Sequence, residues 1–200
     1  MLRHPTLLAP GTIAAARRLR GLLVAVVALF ATPGCAFNRP LTDEQHFQLQ
    51  HPPAAVASDL ERLLPRIILD LRNAENANLG RGSALTAHEG KLATRVGVAH
   101  PGRVRVVIAS QFPTTSDPAL AAELKSRFGL GTNPKSLNGL TMGHVIFIKP
   151  NRANERWLLA HELTHVAQYE ALGFEQFARD YLMQVILVGS TQAPLEQAHA

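Results

Sequence analysis

The chain has 200 residues, 46% of them hydrophobic and 18% charged, which supports one packed domain and argues against a disordered chain. The formal charge is +5, but Arg3, Arg17, Arg18 and Arg20 lie in an N-terminal stretch without acids, and the remaining sixteen basic residues face fifteen acidic ones. That near-balance leaves no basic surface of the kind a nucleic-acid partner requires, so none is expected.

Residues 1–35 have the parts of an export signal. Arg17, Arg18 and Arg20 form a positive region, and Leu22 to Ala31 form an apolar run of ten residues. That run is short for a membrane span and suits a signal peptide. Thr32-Pro33-Gly34-Cys35 follows and resembles the lipobox of bacterial lipoproteins, with Thr32 and Pro33 departing from its usual residues. The resemblance implies lipidation at Cys35, a lipid anchor in the membrane and a location in the bacterial cell envelope, in the periplasm or at the outer membrane. Cys35 is the only cysteine, so the domain beyond it has neither a disulfide nor a thiolate ligand, and its metal chemistry must use His, Asp and Glu.

Residues 36–54, with Pro40, Pro52 and Pro53, read as a tether, and residues 55–200 as the domain. Ser58 or Asp59 is expected to cap a helix to about Leu79, with Leu60, Leu63, Leu64, Ile67, Ile68 and Leu71 at helical spacing and a kink or restart at Pro65. Thr86 and Glu89 form a possible capping box for a helix to about Val96. Val104 to Ile108 reads as a strand after a Pro-Gly turn. Asp117-Pro118 opens a helix to about Phe128, and 129–139 reads as a loop. His144 to Ile148 is a second strand, stopped by Pro150. Asn151 or Asn154 caps the next helix and Gly173 closes it. Phe174 to about Val188 is another helix, and Pro194 opens a short one that holds Glu196 and His199. These elements predict an α+β, mostly helical domain with a small sheet before the helix at 155–172 and two further C-terminal helices.

That helix carries His161-Glu162-Leu163-Thr164-His165, an H-E-x-x-H pattern. Histidines four apart stack on one helix face, where two imidazoles can bind one Zn²⁺. With His161 at 0° and about 100° per residue, His165 falls near 40° and Glu162 near 100°. Glu162 therefore lies beside the metal, placed as a general base. Leu159, Leu163, Val166 and Ala167 fall on the opposite side, so the motif occupies the polar front of an amphipathic helix. Catalytic zinc takes three protein ligands and keeps one open position. Gln168 and Ala171 stand where the metzincin pattern needs Gly and His, which excludes that class. Of Glu170, Glu175, Asp180, Glu196 and His199, Glu170 falls near 180°, away from the histidines. Glu175 and Asp180 face the metal only if the next helix folds straight back. Glu196 follows a turn and is the preferred third ligand, with His199 next.

Leu159 to Glu170, then Leu172-Gly173, Phe177 and Pro194-Leu195-Glu196, resemble small bacterial gluzincin-type domains of uncharacterised substrate, and Gly139 to Ile146 resembles the strand before their active helix. The resemblance spans roughly 85–200 and is strongest at 159–173. It implies a zincin-like fold and a zinc metallopeptidase acting on a peptide or protein substrate, with His161 and His165 as ligands, Glu162 as base and Glu196 as third ligand. The alternatives are a non-catalytic, metal-containing binding module of the envelope and a structural lipoprotein. The strand at 144–148 is expected to dock an extended peptide, and Tyr169, Tyr181 and His144 are candidate donors to the developing oxyanion. Because Glu196 stands in the last five residues of the sequence, the order of its segment is expected to depend on the metal.

Overall fold

The computed structural model describes residues 40–131 and 137–198. The export-signal residues, Cys35 and His199 lie outside them. The protein is α+β and mostly helical, with seven α-helices and a four-stranded sheet among the described residues. No described helix is long and apolar enough to cross a membrane.

The elements run α1 (Asp43–Gln50), α2 (Ala54–Leu79), β1 (Ser83–Ala84), α3 (Ala87–Arg95), β2 (Arg105–Ile108), α4 (Pro118–Phe128), β3 (Gly139–Met142), β4 (Val145–Ile148), α5 (Arg156–Leu172), α6 (Phe174–Val188) and α7 (Pro194–Gln197). Short 3-10 turns occupy 101–103, 150–152 and 190–192. Strand order is β1-β2-β4-β3, with β2 and β4 parallel and the two outer pairs antiparallel.

The apolar run of β4 explains its place. A strand with every residue buried needs cover on both faces, and all four β4 residues are buried. Ile146 and Ile148 join Leu158, Leu159, Leu163 and Val166 of α5 and Ala93 of α3 on one face. Val145 and Phe147 pack with Met142, Val107 and Phe112 on the other, against Leu71, Ala74 and Leu79 of α2. A third cluster joins α2, α4 and α6 through Leu60, Leu63, Ile67 and Leu120. The sheet thus lies between α2 and α5, and the apolar back of α5 is seated on it.

Several local expectations are met in detail. Thr86 and Glu89 make the reciprocal capping box of α3. Asp117 caps α4 through Ala119 and Leu120, and Gly173 closes α5. Others differ. Residues 43–50, taken as tether, form α1, because Thr42 and Gln45 make a capping box. This helix packs on α6, and Gln45 Nε2 donates to Gln192 Oε1 at 2.8 Å. Helix α2 begins at Ala54, before Ser58, and continues through Pro65. Pro65 is exposed while Leu63, Leu64 and Ile67 are buried, so the carbonyl deprived of its donor faces solvent and core packing carries the helix onward. Neither Asn151 nor Asn154 caps α5; Glu155 does so without a side-chain bond to the backbone, and Arg152 holds its carboxylate at 2.6 Å. The stretch Gly139 to Ile146, which the resemblance implied to be one strand and whose first residue was read as the end of a loop, contributes two strands, β3 and the start of β4, joined by a turn at Gly143.

One cluster fastens the three layers together. His144, in the β3–β4 turn, places Nδ1 3.5 Å from Glu75 Oε1 of α2 and Nε2 3.0 Å from Glu170 Oε1 of α5. Glu75 also accepts the His144 backbone N–H, and Glu170 accepts from Ala99 and His100. The turn requires Gly143, whose φ is +60° and whose added Cβ would stand 2.2 Å from Glu75 Oε1. The bond to Glu75, aided by Glu170, outweighs burial and holds His144 above its usual value. Burial pushes Glu75 and Glu170 up, but their hydrogen bonds bring both below the usual carboxylate range. The His144 contribution to stability is therefore present below its unfolded value, about 6.5, and is lost as pH rises through the folded one. The carboxylate contributions are present above about 4.3 and are lost as pH falls through their lowered folded values. His144→Gln is thus expected to destabilise most near pH 5.5, and the gap to wild type should narrow by pH 8.5 in urea titrations of metal-free protein. An equal gap at both pH values would contradict this account.

Candidate metal centre

The 3.6-residue repeat of α5 puts His161 and His165 one turn apart, and the sheet fixes the helix from behind. Helix α6 then runs back against α5, turns at Gly189, and delivers α7. Pro194 at the first turn of α7 and Ala193, fully buried before it, bring Glu196 to the histidine pair. His161 Nε2 lies 3.2 Å from Glu196 Oε2 and 3.2 Å from His165 Nε2, and His165 Nε2 lies 3.6 Å from Glu196 Oε2.

These separations test whether a metal fits. A tetrahedral Zn²⁺ with N and O ligands at about 2.0–2.1 Å spaces its ligand atoms by about 3.3–3.4 Å. The three separations, 3.2, 3.2 and 3.6 Å, bracket that spacing, and two imidazoles with one carboxylate are a donor set suited to zinc. Among the described residues no other group of three histidines or carboxylates converges in this way.

The surroundings orient each donor. Tyr181 O–H donates to Glu196 Oε1, leaving Oε2 for the histidines. Gln168 places Oε1 2.9 Å from His165 Nδ1 and donates through Nε2 to Leu195 O at 2.9 Å. Gln184 Oε1 accepts Leu195 N–H at 2.8 Å. These bonds tie the segment that carries Glu196 to α5 and α6. Burial raises Glu196, but bonds from His161, His165 and Tyr181 outweigh it and hold the carboxyl well below its usual range. Burial pulls His165 down, and Glu196 more than reverses this. Burial, with Glu196 adding to it, pushes Tyr181 well up, so its hydroxyl stays a donor.

Glu162 is 3% exposed. Thr141 Oγ1 lies 2.6 Å from its Oε2 and 3.1 Å from its backbone carbonyl. Gly139 completes the seat: a Cβ there would stand 2.2 Å from Glu162 Oε1. Burial raises Glu162 despite the Thr141 bond and the nearby histidines. Gly139→Ala should cost about 1–3 kcal/mol through overpacking, read as a lower urea midpoint with an unchanged slope. An unaltered midpoint would mean that Glu162 has room to move.

The remaining candidates lie elsewhere. Glu170 serves the His144 cluster, Glu175 lies 3.9 Å from Arg72 and Asp180 accepts from Gln176. Tyr169 packs against Phe174 and Phe177, and His144 is engaged by Glu75 and Glu170. Of the three proposed oxyanion donors, Tyr181 alone touches the cluster, through Glu196. The peptide-docking expectation for residues 144–148 is corrected, because β4 is paired on both edges, by β2 and β3. The outer edge of β3 carries no strand among the described residues.

Gly139, Thr141 and Gln184 were not anticipated from the sequence, and Gln168 was used only to exclude a ligand class. One signal for the first two was available. Residues i and i+2 share a strand face, and a glycine and a threonine there, in place of apolar residues, mark a face that receives a polar group.

Residues 135–173 match the family model of the eCIS core domain, an extracellular contractile injection system domain. The match covers β3, β4 and α5, and so His161, Glu162 and His165, but stops short of Glu196. No curated protein and no solved structure matches the chain.

Proposed function

We propose that the chain is a zincin-like, gluzincin-type zinc metallopeptidase that hydrolyses peptide bonds. The observation that carries this reading is the convergence of Glu196, from a separate short helix, on the two histidines of α5 at zinc-ligand spacing. His161, His165 and Glu196 would hold the metal. Zinc bound there supplies a water whose pKa falls toward about 7 and polarises the scissile carbonyl.

The chain's own groups do the rest. Glu162 takes the proton of the attacking water and passes it to the leaving amine. Its raised proton affinity suits a base that must also act as an acid, and Thr141 with Gly139 keeps its carboxylate in one place. The outer edge of β3 offers backbone donors and acceptors to an extended peptide, directly beside the Glu162 seat. Tyr181 keeps Glu196 from turning away. The export-signal residues place the enzyme in the cell envelope, anchored by a lipid at Cys35.

The test uses purified protein, metal analysis and a fluorogenic peptide library. One zinc per chain and cleavage abolished by a chelator and restored by zinc are expected. Zinc at one per chain without cleavage of any library member would favour a second reading. That reading rests on the eCIS core match: a non-catalytic binding module of an extracellular contractile injection system, using the same groove to hold a partner. Protein without zinc even after zinc loading would overturn the peptidase reading.

A further inference from the structure

Gln168 has two bonds whose chemistry is mutually constraining. A carboxamide has one acceptor end and one donor end. Its Nε2 faces the Leu195 carbonyl, which only accepts, so its Oε1 is the end that meets His165 Nδ1. In the neutral ring, the form that binds a metal, that nitrogen carries the proton and the lone pair belongs to His165 Nε2, which faces His161 and Glu196. The same carboxamide therefore selects the imidazole tautomer able to bind a metal and ties down the residue next to Glu196. Gln184, from α6, holds the other polar group of the Leu195 backbone.

We propose that Gln168 is a positioning residue that couples the two halves of the ligand set, the helix-borne histidines and the α7 glutamate, with Gln184 as its counterpart across Leu195. The inference rests on the metal-centre reading above and adds that these glutamines and Tyr181 hold the third ligand in register with the histidines. Flipping the carboxamide sets oxygen against the Leu195 carbonyl and NH₂ against the His165 ring N–H. The two bonds therefore require one and the same carboxamide orientation, which links them.

The test is a double-mutant cycle on metal affinity, measured by competition with a chromophoric chelator for the full chain. Gln168→Leu should weaken zinc binding about 10–100-fold, the range for groups that orient metal ligands. In a Glu196→Ala background the same change should cost distinctly less, because the route through Leu195 then leads to no ligand. Gln168→Glu keeps an acceptor for His165 but turns a carboxylate toward the Leu195 carbonyl. It should bind cobalt with a shifted and weakened visible band, which a purely structural defect would not produce. Circular dichroism of metal-free protein controls for folding, and Gln168→Glu carries the test if Gln168→Leu does not fold. Equal losses in both backgrounds would overturn the coupling, as would a wild-type cobalt band in Gln168→Glu. Wild-type protein that binds no zinc would sink the metal centre itself, an outcome separate from either of these.

Discussion

Glu162→Gln should reduce peptide hydrolysis by about 10²–10⁴-fold, the range for loss of a general acid–base group, while zinc stoichiometry stays at the wild-type level. The substitution keeps shape and leaves an amide oxygen to accept from Thr141 as the carboxylate does, but removes the basic oxygen. Its effect on stability should run the other way. Glu162 is buried and its folded proton affinity is raised, so the ionised carboxylate costs stability above its unfolded value of about 4.3. A neutral amide avoids that cost. Metal-free Glu162→Gln should therefore melt no lower than wild type at pH 7, and any advantage should vanish below pH 4. A variant that retained zinc and cleaved at the wild-type rate would remove Glu162 from the mechanism.

The second large effect is expected at Glu196. Glu196→Ala should weaken zinc binding by more than about 100-fold, beyond the range typical of groups that only support a ligand. Two losses combine in it. One of three donors disappears, and the buried hydroxyl of Tyr181 loses its acceptor, which costs about 1–3 kcal/mol. Glu196→Gln separates them, since its amide oxygen can still accept from Tyr181. It should restore the share of metal-free stability that comes from Tyr181, not the share that comes from the histidines beside the carboxylate, and little of the zinc affinity. His199→Ala serves as the comparison, and zinc binding lost at His199 but retained at Glu196 would transfer the third ligand to His199. Isothermal titration with zinc, alongside thermal melts, reads both quantities.

The two substitutions probe parts of the site that differ in how they are encoded. Glu162 and the histidines belong to one helix, and a helix relates its residues by fixed angles. Their common face, the apolar back formed by Leu159, Leu163 and Val166, and the metzincin exclusion at Gln168 and Ala171 were all legible because each depends only on spacing along one element. The capping box at Thr86 and the helix start at Asp117-Pro118 were legible for the same reason. Glu196 was a preference among five acids and histidines, because whether a later helix returns to an earlier one depends on the turn at Gly189 and on packing between α5 and α6.

Other features had no local signature. The dihedral preferences of β3 are weak, with a glycine at its first position, so residue pattern alone left it without a strand signal and only the family resemblance marked the stretch as strand. It becomes a strand because β4 offers it an edge and α5 offers it a face. That placement moved the expected peptide-docking edge from residues 144–148 to β3. It also brought Gly139 and Thr141, more than twenty residues away in the chain, against Glu162. Residues 43–50 gained order from a capping box that was present in the sequence and from a face on α6 that was not.

The sequence by itself determined the chemistry available: two histidines and a carboxylate on one helix face, no thiol beyond Cys35, and candidate third ligands downstream. These follow from side-chain identity and helical period, which hold wherever the helix lies. Only the tertiary structure decided which distant carboxylate stands 3.2 Å from His161, which strand presents an edge, and which residues bury Glu162 and orient His165. Those choices arise from how α5 sits on the sheet and how α6 returns along it. Contacts between distant segments follow from burial of whole faces at once, and no single spacing in the chain encodes them.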